Sequence, residues 1–439
     1  MKKKIILSVI KLIMMGFLAK LISTFAKIII AQKIGIESMS IYALTVPTMV
    51  LMINLAQAGF PTAIAKLIAQ NRNKTYKIMI SAVFLSLILN LVIAGIYFPL
   101  VPFIGKNLLH NSLTYPTLYC IGCIIPLVSF SGLLKGYFVG IEQVEKSSYC
   151  QISEEIARIL FIVVFIDFFS AKSPSFLSFF AMCGMLVGEI ASIIHMIISM
   201  HVKWKQKFHD LKQIKKEETA QLNKMILSIS LPTTSTRIIG SISYFIEPIL
   251  FTFLMLQCGV SAAQTTIEYG IITGYIMPLL LLPGFFASAF SLALLPRMSK
   301  SIAQKNYRYA KKLLFYFVLA SFAIGFIFSL TIFLFPKFFM NLLYHHTQGY
   351  EFIRKYALFI IIYYIEAPLG TAMVALSLEK HIFVDSLICN IAKIIAYFIF
   401  IPVFQTDGLV IGLLVGVYLT VFINIYFIQK QFKLLLKQN

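Results

Sequence analysis

Four charged residues stand inside apolar runs long enough to cross a membrane: Lys20 and Lys27 near the N-terminus, and Arg237 and Glu247 just past the middle of the chain. A charge at mid-bilayer costs roughly 2.5–3.5 kcal/mol on insertion scales, so each must face protein, water or a membrane edge, and such residues mark transport pathways. Lys20 and Lys27 are seven residues apart, about 20° around a helical wheel, and give one helix a cationic face. Arg237 and Glu247 are separated by ten residues, ~15 Å of helix. Cations in a low-dielectric cavity can clamp an anion such as a phosphate, because each charge counts for more there than in water. Glu189, Glu366 and Lys393 also fall within spans, where each could face a cavity or an internal ion pair. Glu154, Glu155 and Arg158 follow i, i+3 and i, i+4 spacings that let the acids neutralise the guanidinium near the interface. Lys11 lies close enough to a helix end to snorkel. His345-His346 reads as a solvated pair, since no nearby acid or Cys completes a metal-ligand set.

The elements that must position these groups are transmembrane helices. Of 439 residues 59% are hydrophobic and only 13% charged, which excludes a soluble domain. Apolar runs place spans near 5–31, 39–65, 76–101, 113–137, 149–169, 176–202, 224–257, 264–296, 309–335, 351–378, 382–403 and 408–429. Twelve helices leave no room for a separate catalytic domain, so neither catalytic residues, a metal nor a cofactor is expected. The first span has a basic start but no small-residue cleavage site, and reads as retained rather than as a signal peptide. Net charge is +21, and the basic residues gather in alternate loops: roughly 26 on one side and about 6 on the other. That pattern indicates cytoplasmic N- and C-termini and contact with anionic membrane lipids rather than nucleic acid. Cys120 and Cys123 form a C-x-x-C inside a span, where small buried hydrophobes are the simpler reading. Pro47, Pro126, Pro278, Pro283 and Pro368 interrupt spans, and Gly59 before Phe60-Pro61 predicts a bend.

A polar, basic segment, KWKQKFHDLKQIKKEETAQLNK, divides the chain into residues 1–202, a cytoplasmic linker at 203–223, and residues 224–439. At a shift of 234 positions Ile68, Ala69 and Gln70 match Ile302, Ala303 and Gln304; Pro102 matches Pro336; Asn107 matches Asn341; and Glu145-Lys146 matches Glu379-Lys380. Six spans per half give both halves one orientation, hence parallel repeats, a binding site between them and rocking alternating access.

The opening KLIMMGFLAKLISTFAKIIIAQKIGIESMSIYALTVPTMVLMINLAQAGFPTAIAKLIAQ resembles the first two helices of the stage V sporulation protein B type of polysaccharide transporters, in the multidrug, oligosaccharidyl-lipid and polysaccharide exporter superfamily. GLLKGYFVGIEQVEKSSYCQISEEIARIL, PTTSTRIIGSISYFIEPILF and PGFFASAFSLALLPRMSKSIAQKN resemble later stretches of the same family, in the same order. The resemblance implies an all-α integral membrane protein, with two six-helix lobes in a V around a central cavity. It also implies a flippase for undecaprenyl-pyrophosphate-linked sugars in the plasma membrane. Lys20 falls where the family pattern has Lys, Lys27 where an Arg is expected and Glu247 where an Asp is usual. Lys in place of Arg keeps the charge but loses the bidentate phosphate fork. Twelve spans also differ from the fourteen of many members, whose extra pair forms a groove for the lipid tail.

The expectation is therefore a flippase moving a polyprenyl-pyrophosphate glycan, with Lys20, Lys27 and Arg237 on the pyrophosphate and Glu247, Glu366 and Lys393 in the cavity or in coupling. The alternative is a cation-coupled exporter of drugs or metabolites, for which the intramembrane acids would serve. A glycosyltransferase or polymerase would need acids on a sizeable outer loop, and Asp167 and Asp407 are isolated.

Overall fold

Inside a bilayer no water satisfies backbone N–H and C=O groups, so apolar runs of this length close their hydrogen bonds within helices. A computed structural model describes residues 2–169, 172–200 and 216–437, and among these no strand occurs. The side chain of Lys11 and residues 203–215 of the predicted linker lie outside the described residues.

The first part of the chain forms α1 (Lys2–Gln57), α2 (Phe60–Gln70), α3 (Thr75–Phe103), α4 (Tyr115–Gly140), α5 (Val144–Phe165) and α6 (Pro174–Ser199). α1 is two spans: Gly35, at φ 77°, breaks it with a single residue where the sequence suggested a loop of several. Gly59, at φ 67°, supplies the predicted bend before α2. Helix continues through Pro47 and Pro126, so these prolines do not end their spans. α7 (Lys216–Gln257) follows.

The remainder comprises α8 (Ala262–Gly270), a π-helical turn at Ile271–Ile276, α9 (Met277–Leu280), α10 (Gly284–Ala303), α11 (Tyr307–Leu334), α12 (Pro336–Tyr344), α13 (Tyr350–Tyr356), α14 (Tyr363–Ala375), α15 (Glu379–Phe404) and α16 (Thr406–Lys437). Eight described helices are long and apolar enough to span, and two bent pairs raise this to ten: 262–280 with 284–303, bent 51°, and 350–356 with 359–375, bent 61°. Dividing α1 at Gly35 adds one. α5 adds the twelfth: it has the length, while Glu154, Glu155 and Arg158 lower its hydropathy.

Two compact units result, Met1–Phe245 and Ile246–Asn439. In the first, Phe60, Ala63, Ile64, Leu67 and Ile68 line one face of α2 at helical spacing and pack with Ile78 and Ala82 of α3, Leu133 of α4, and Leu222 and Ile226 of α7. Because the early turns of α7 join this core, the units meet inside α7 rather than at its start. Arg237 thereby falls in the same unit as Lys20 and Lys27. In the second unit Leu294 and Met298 of α10, Leu313 and Leu314 of α11, Leu369 and Met373 of α14, and Val421, Ile428 and Phe432 of α16 form the core.

Candidate functional site

In the first unit, Lys20 and Lys27 are exposed on α1. Lys27 lies within electrostatic reach of Lys20 and of Glu155 and Arg158 on α5, a helix packed directly on α1. Glu154, Glu155 and Arg158 are all buried, in the body of α5. The Arg158 guanidinium reaches Glu154 at 3.4 Å and Glu155 at 3.1 Å, and Lys135 of α4 donates to Glu154 at 3.0 Å. Glu189 of α6, also buried, interacts with Glu154 and Lys135 and keeps one carboxylate oxygen without a hydrogen-bond partner. Gly188 permits this closeness, since a Cβ there would stand 2.8 Å from the Glu154 carbonyl oxygen. Three acids against two bases leave one negative charge when all are ionised, and Lys27 is the cation at its edge. The self-neutralising cluster read from α5 alone is thus a network over three helices, to which Lys135 and Glu189 contribute.

Arg237 is exposed and makes no ion pair among the described residues. One turn away, Ser241 donates to the Arg237 carbonyl at 2.8 Å and accepts from Asn54 of α1 at 2.5 Å, fixing this part of α7 against the second segment of α1.

Glu247 does not pair with Arg237. It belongs to the second unit and is buried, held by Lys393 at 3.6 Å, by the Tyr397 hydroxyl at 2.7 Å and by the Tyr269 hydroxyl at 3.4 Å. One ammonium and two hydroxyl donors thus satisfy the buried carboxylate. Beside this pair lies a cavity of about 540 Å³ whose walls include Glu366, Asp385, Asn390, Lys393, Thr420 and Asn424. Glu366 and Lys393 line it, whereas Glu247 is not among its lining residues. Glu366 and Asp385 lie within electrostatic reach of each other. Asp385, which sequence reasoning passed over, was detectable: Asp385, Cys389, Lys393 and Tyr397 recur every four residues, a polar stripe on one face of α15. Cys389 donates to Asp385 at 3.1 Å.

The histidine pair splits. His345 is exposed, but His346 packs edge-on to Tyr275, with ring centroids 4.7 Å apart, and stacks near Tyr344; neither of its ring nitrogens has a partner among the described residues. Burial lowers the His346 pKa below its usual value and holds the ring neutral.

A twelve-span helical bundle with charged networks inside both units defines a polytopic membrane transporter. Residues 6–302 match the family described as polysaccharide biosynthesis protein and residues 241–403 the MatE family; the chain belongs to the polysaccharide biosynthesis protein family, in the superfamily the sequence suggested. It is 29% identical to stage V sporulation protein B of Bacillus subtilis over 87% of this chain and 75% of that one. It is 22% identical to the lipid II flippase of the same organism over 59% and 51% of the two chains. The fold superposes on an inward-facing multidrug resistance transporter of the MATE family with a TM-score of 0.74, covering 98% and 99% of the two chains at 16% identity. A second solved relative is a superfamily transporter from Pyrococcus furiosus, described by the reversed polarity of its binding pocket, at TM-score 0.64 and 16% identity over 97% and 96%. The chain is a multi-pass membrane transporter with the all-helical, two-lobe fold of this superfamily, and not an enzyme.

Proposed function

We propose that the protein is a flippase that carries a polyprenyl-pyrophosphate-linked oligosaccharide or cell-wall precursor across the cytoplasmic membrane by alternating access, with both termini in the cytoplasm. Lys20, Lys27 and Arg237 bind the pyrophosphate. The observation that carries this reading is the exposure of all three cations within one unit, Lys27 and Arg237 making no ion pair among the described residues. Lys27 acts as a point charge; a guanidinium there would add a second parallel hydrogen bond to the phosphate. Relatedness to a lipid II flippase is consistent with a lipid-linked substrate.

A second reading, a cation-coupled exporter, is favoured by Glu366 and Asp385 on the wall of one cavity. One experiment separates the two. Liposomes containing the protein receive a fluorescent undecaprenyl-pyrophosphate glycan, and movement between leaflets is followed for wild type, Lys20→Ala and Arg237→Ala. Flipping in wild type that collapses in both variants supports the flippase. A wild type that leaves the lipid in place but extrudes a cationic dye under an ion gradient makes the exporter the correct reading.

A further inference from the structure

At the end of α11 away from its junction with α10, α12 joins α11 to α13. Pro336, Met340 and Tyr344 fall one turn apart and are buried against protein. The opposite side of this short helix is apolar too: Phe338 is 61% exposed and Leu342 55%, and the neighbouring Leu334 and Phe335 are each 58% exposed. A helix apolar on both faces at the mouth of a membrane bundle lies in the interfacial layer, one side on protein and the other on acyl chains.

Beside it is a pocket of about 350 Å³, lined by Lys337, Arg354, Tyr350 and the run from Phe333 to Phe338, with no carboxylate on its wall. The neighbouring cation Lys355 is neutralised, since it pairs with Asp407. Lys337 and Arg354 make no ion pair among the described residues, although Glu351 lies one turn before Arg354. Instead the Lys337 ammonium stands 4.5 Å from the Tyr350 ring centroid, which fixes its position. The first turn of α12 borders the same pocket; Pro336 has no N–H, but those of Lys337 and Phe338 precede the first intrahelical bond, from Phe339 to the Phe335 carbonyl. An ammonium, a guanidinium and free N–H groups at headgroup depth, ringed by aromatic and aliphatic side chains, match an anion carried on a hydrocarbon tail.

We propose that this pocket binds the phosphate of a lipid headgroup, seated between Lys337 and Arg354 with its chains along Leu334, Phe335 and Phe338. The site is separate from Lys20, Lys27 and Arg237 and does not depend on what the protein transports. The phosphate could belong to a bilayer phospholipid or to a polyprenyl pyrophosphate, and the test tells them apart.

Full-length protein, delipidated in detergent, is offered phosphatidylglycerol, undecaprenyl pyrophosphate or diacylglycerol, and retained lipid is read by native mass spectrometry. Wild type is compared with Lys337→Gln/Arg354→Gln and with Lys430→Gln/Lys433→Gln on α16, a control for unspecific cationic binding. The expected result is retention of phosphatidylglycerol or undecaprenyl pyrophosphate by wild type and the α16 variant, about tenfold weaker in the pocket variant, with diacylglycerol not retained. Whichever phosphate lipid shows that loss is the occupant. Equal retention of both phosphate lipids by wild type and pocket variant, or retention of diacylglycerol as strong as theirs, overturns the proposal. Lys337→Met alone, at an exposed position without an ion pair, gives the same readout should the double variant fail to fold.

Discussion

Replacing Lys393 with Met tests whether Glu247 depends on its ammonium partner. At 3.6 Å the two charges attract by about 5 kcal/mol at an effective dielectric of 20. Met fills a similar volume but leaves the carboxylate buried, with only the Tyr397 and Tyr269 hydroxyls. Breaking a buried pair from one side costs about 3–5 kcal/mol. For a unit the size of Ile246–Asn439, at roughly 2–4 °C per kcal/mol, the melting temperature should fall by about 6–20 °C. The assay is built into the chain: all six cysteines are free and Cys120, Cys150 and Cys389 are buried, so a thiol-reactive fluorophore reports unfolding in detergent. Glu247→Gln added to Lys393→Met removes the orphaned charge and should recover most of the loss. A single variant that melts within about 2 °C of wild type, or a double variant no better than the single, would refute the reasoning.

Three further outcomes are expected. Gly136→Ala places a Cβ 2.6 Å from the Pro61 carbonyl oxygen and 2.9 Å from its Cα, so α4 must back away from α2 at about 1–3 kcal/mol, whereas Gly95→Ala meets nothing within 4 Å and should melt like wild type. Arg158→Met strands Glu155, while Lys135→Met leaves Glu154 still paired to Arg158; thermal melts should show the larger loss for Arg158→Met. Because burial lowers the His346 pKa, the unfolded chain binds the extra proton first. The stability His346 contributes is complete above its unfolded value of about 6.5 and declines as pH falls below it. Melts from pH 8 to pH 5 should therefore fall less steeply for His346→Phe than for wild type.

The spans were legible because their signal is local: runs of apolar residues, and glycine where the helix bends, as at Gly59. The broken helices were not. One bend falls at Pro283-Gly284, where a proline marks it, but the other, between Tyr356 and Phe359, has no proline or glycine to mark it. Charge positions could be read and charge partners could not. Glu247 and Lys393 are separated by most of the second half of the chain, and Lys135 and Glu154 sit on different helices, so nothing in local spacing joins them. The α5 triad was readable because its pairing is i, i+3 and i, i+4, but its further partner Lys135 comes from α4 and could not be read from spacing. The polar stripe from Asp385 to Tyr397 obeys the same helical rule and could have been found.

The composition of α5 constrains how the protein is made. Three charges in one span, at roughly 2.5–3.5 kcal/mol each, make lone entry into lipid unfavourable, whereas α4 and α6 are apolar enough to enter unaided. During synthesis α5 must therefore wait at the insertion machinery until α4, already threaded, offers Lys135, and it becomes a stable resident of the bilayer only once α6 closes over the charges. A nascent chain ending after Phe165 should integrate α5 poorly, and one extended through Ser199 should integrate it well, as glycosylation-site mapping in microsomes would report. The buried network that serves the finished transporter thus also sets an order of assembly, in which neighbouring helices recruit a segment the membrane alone would reject.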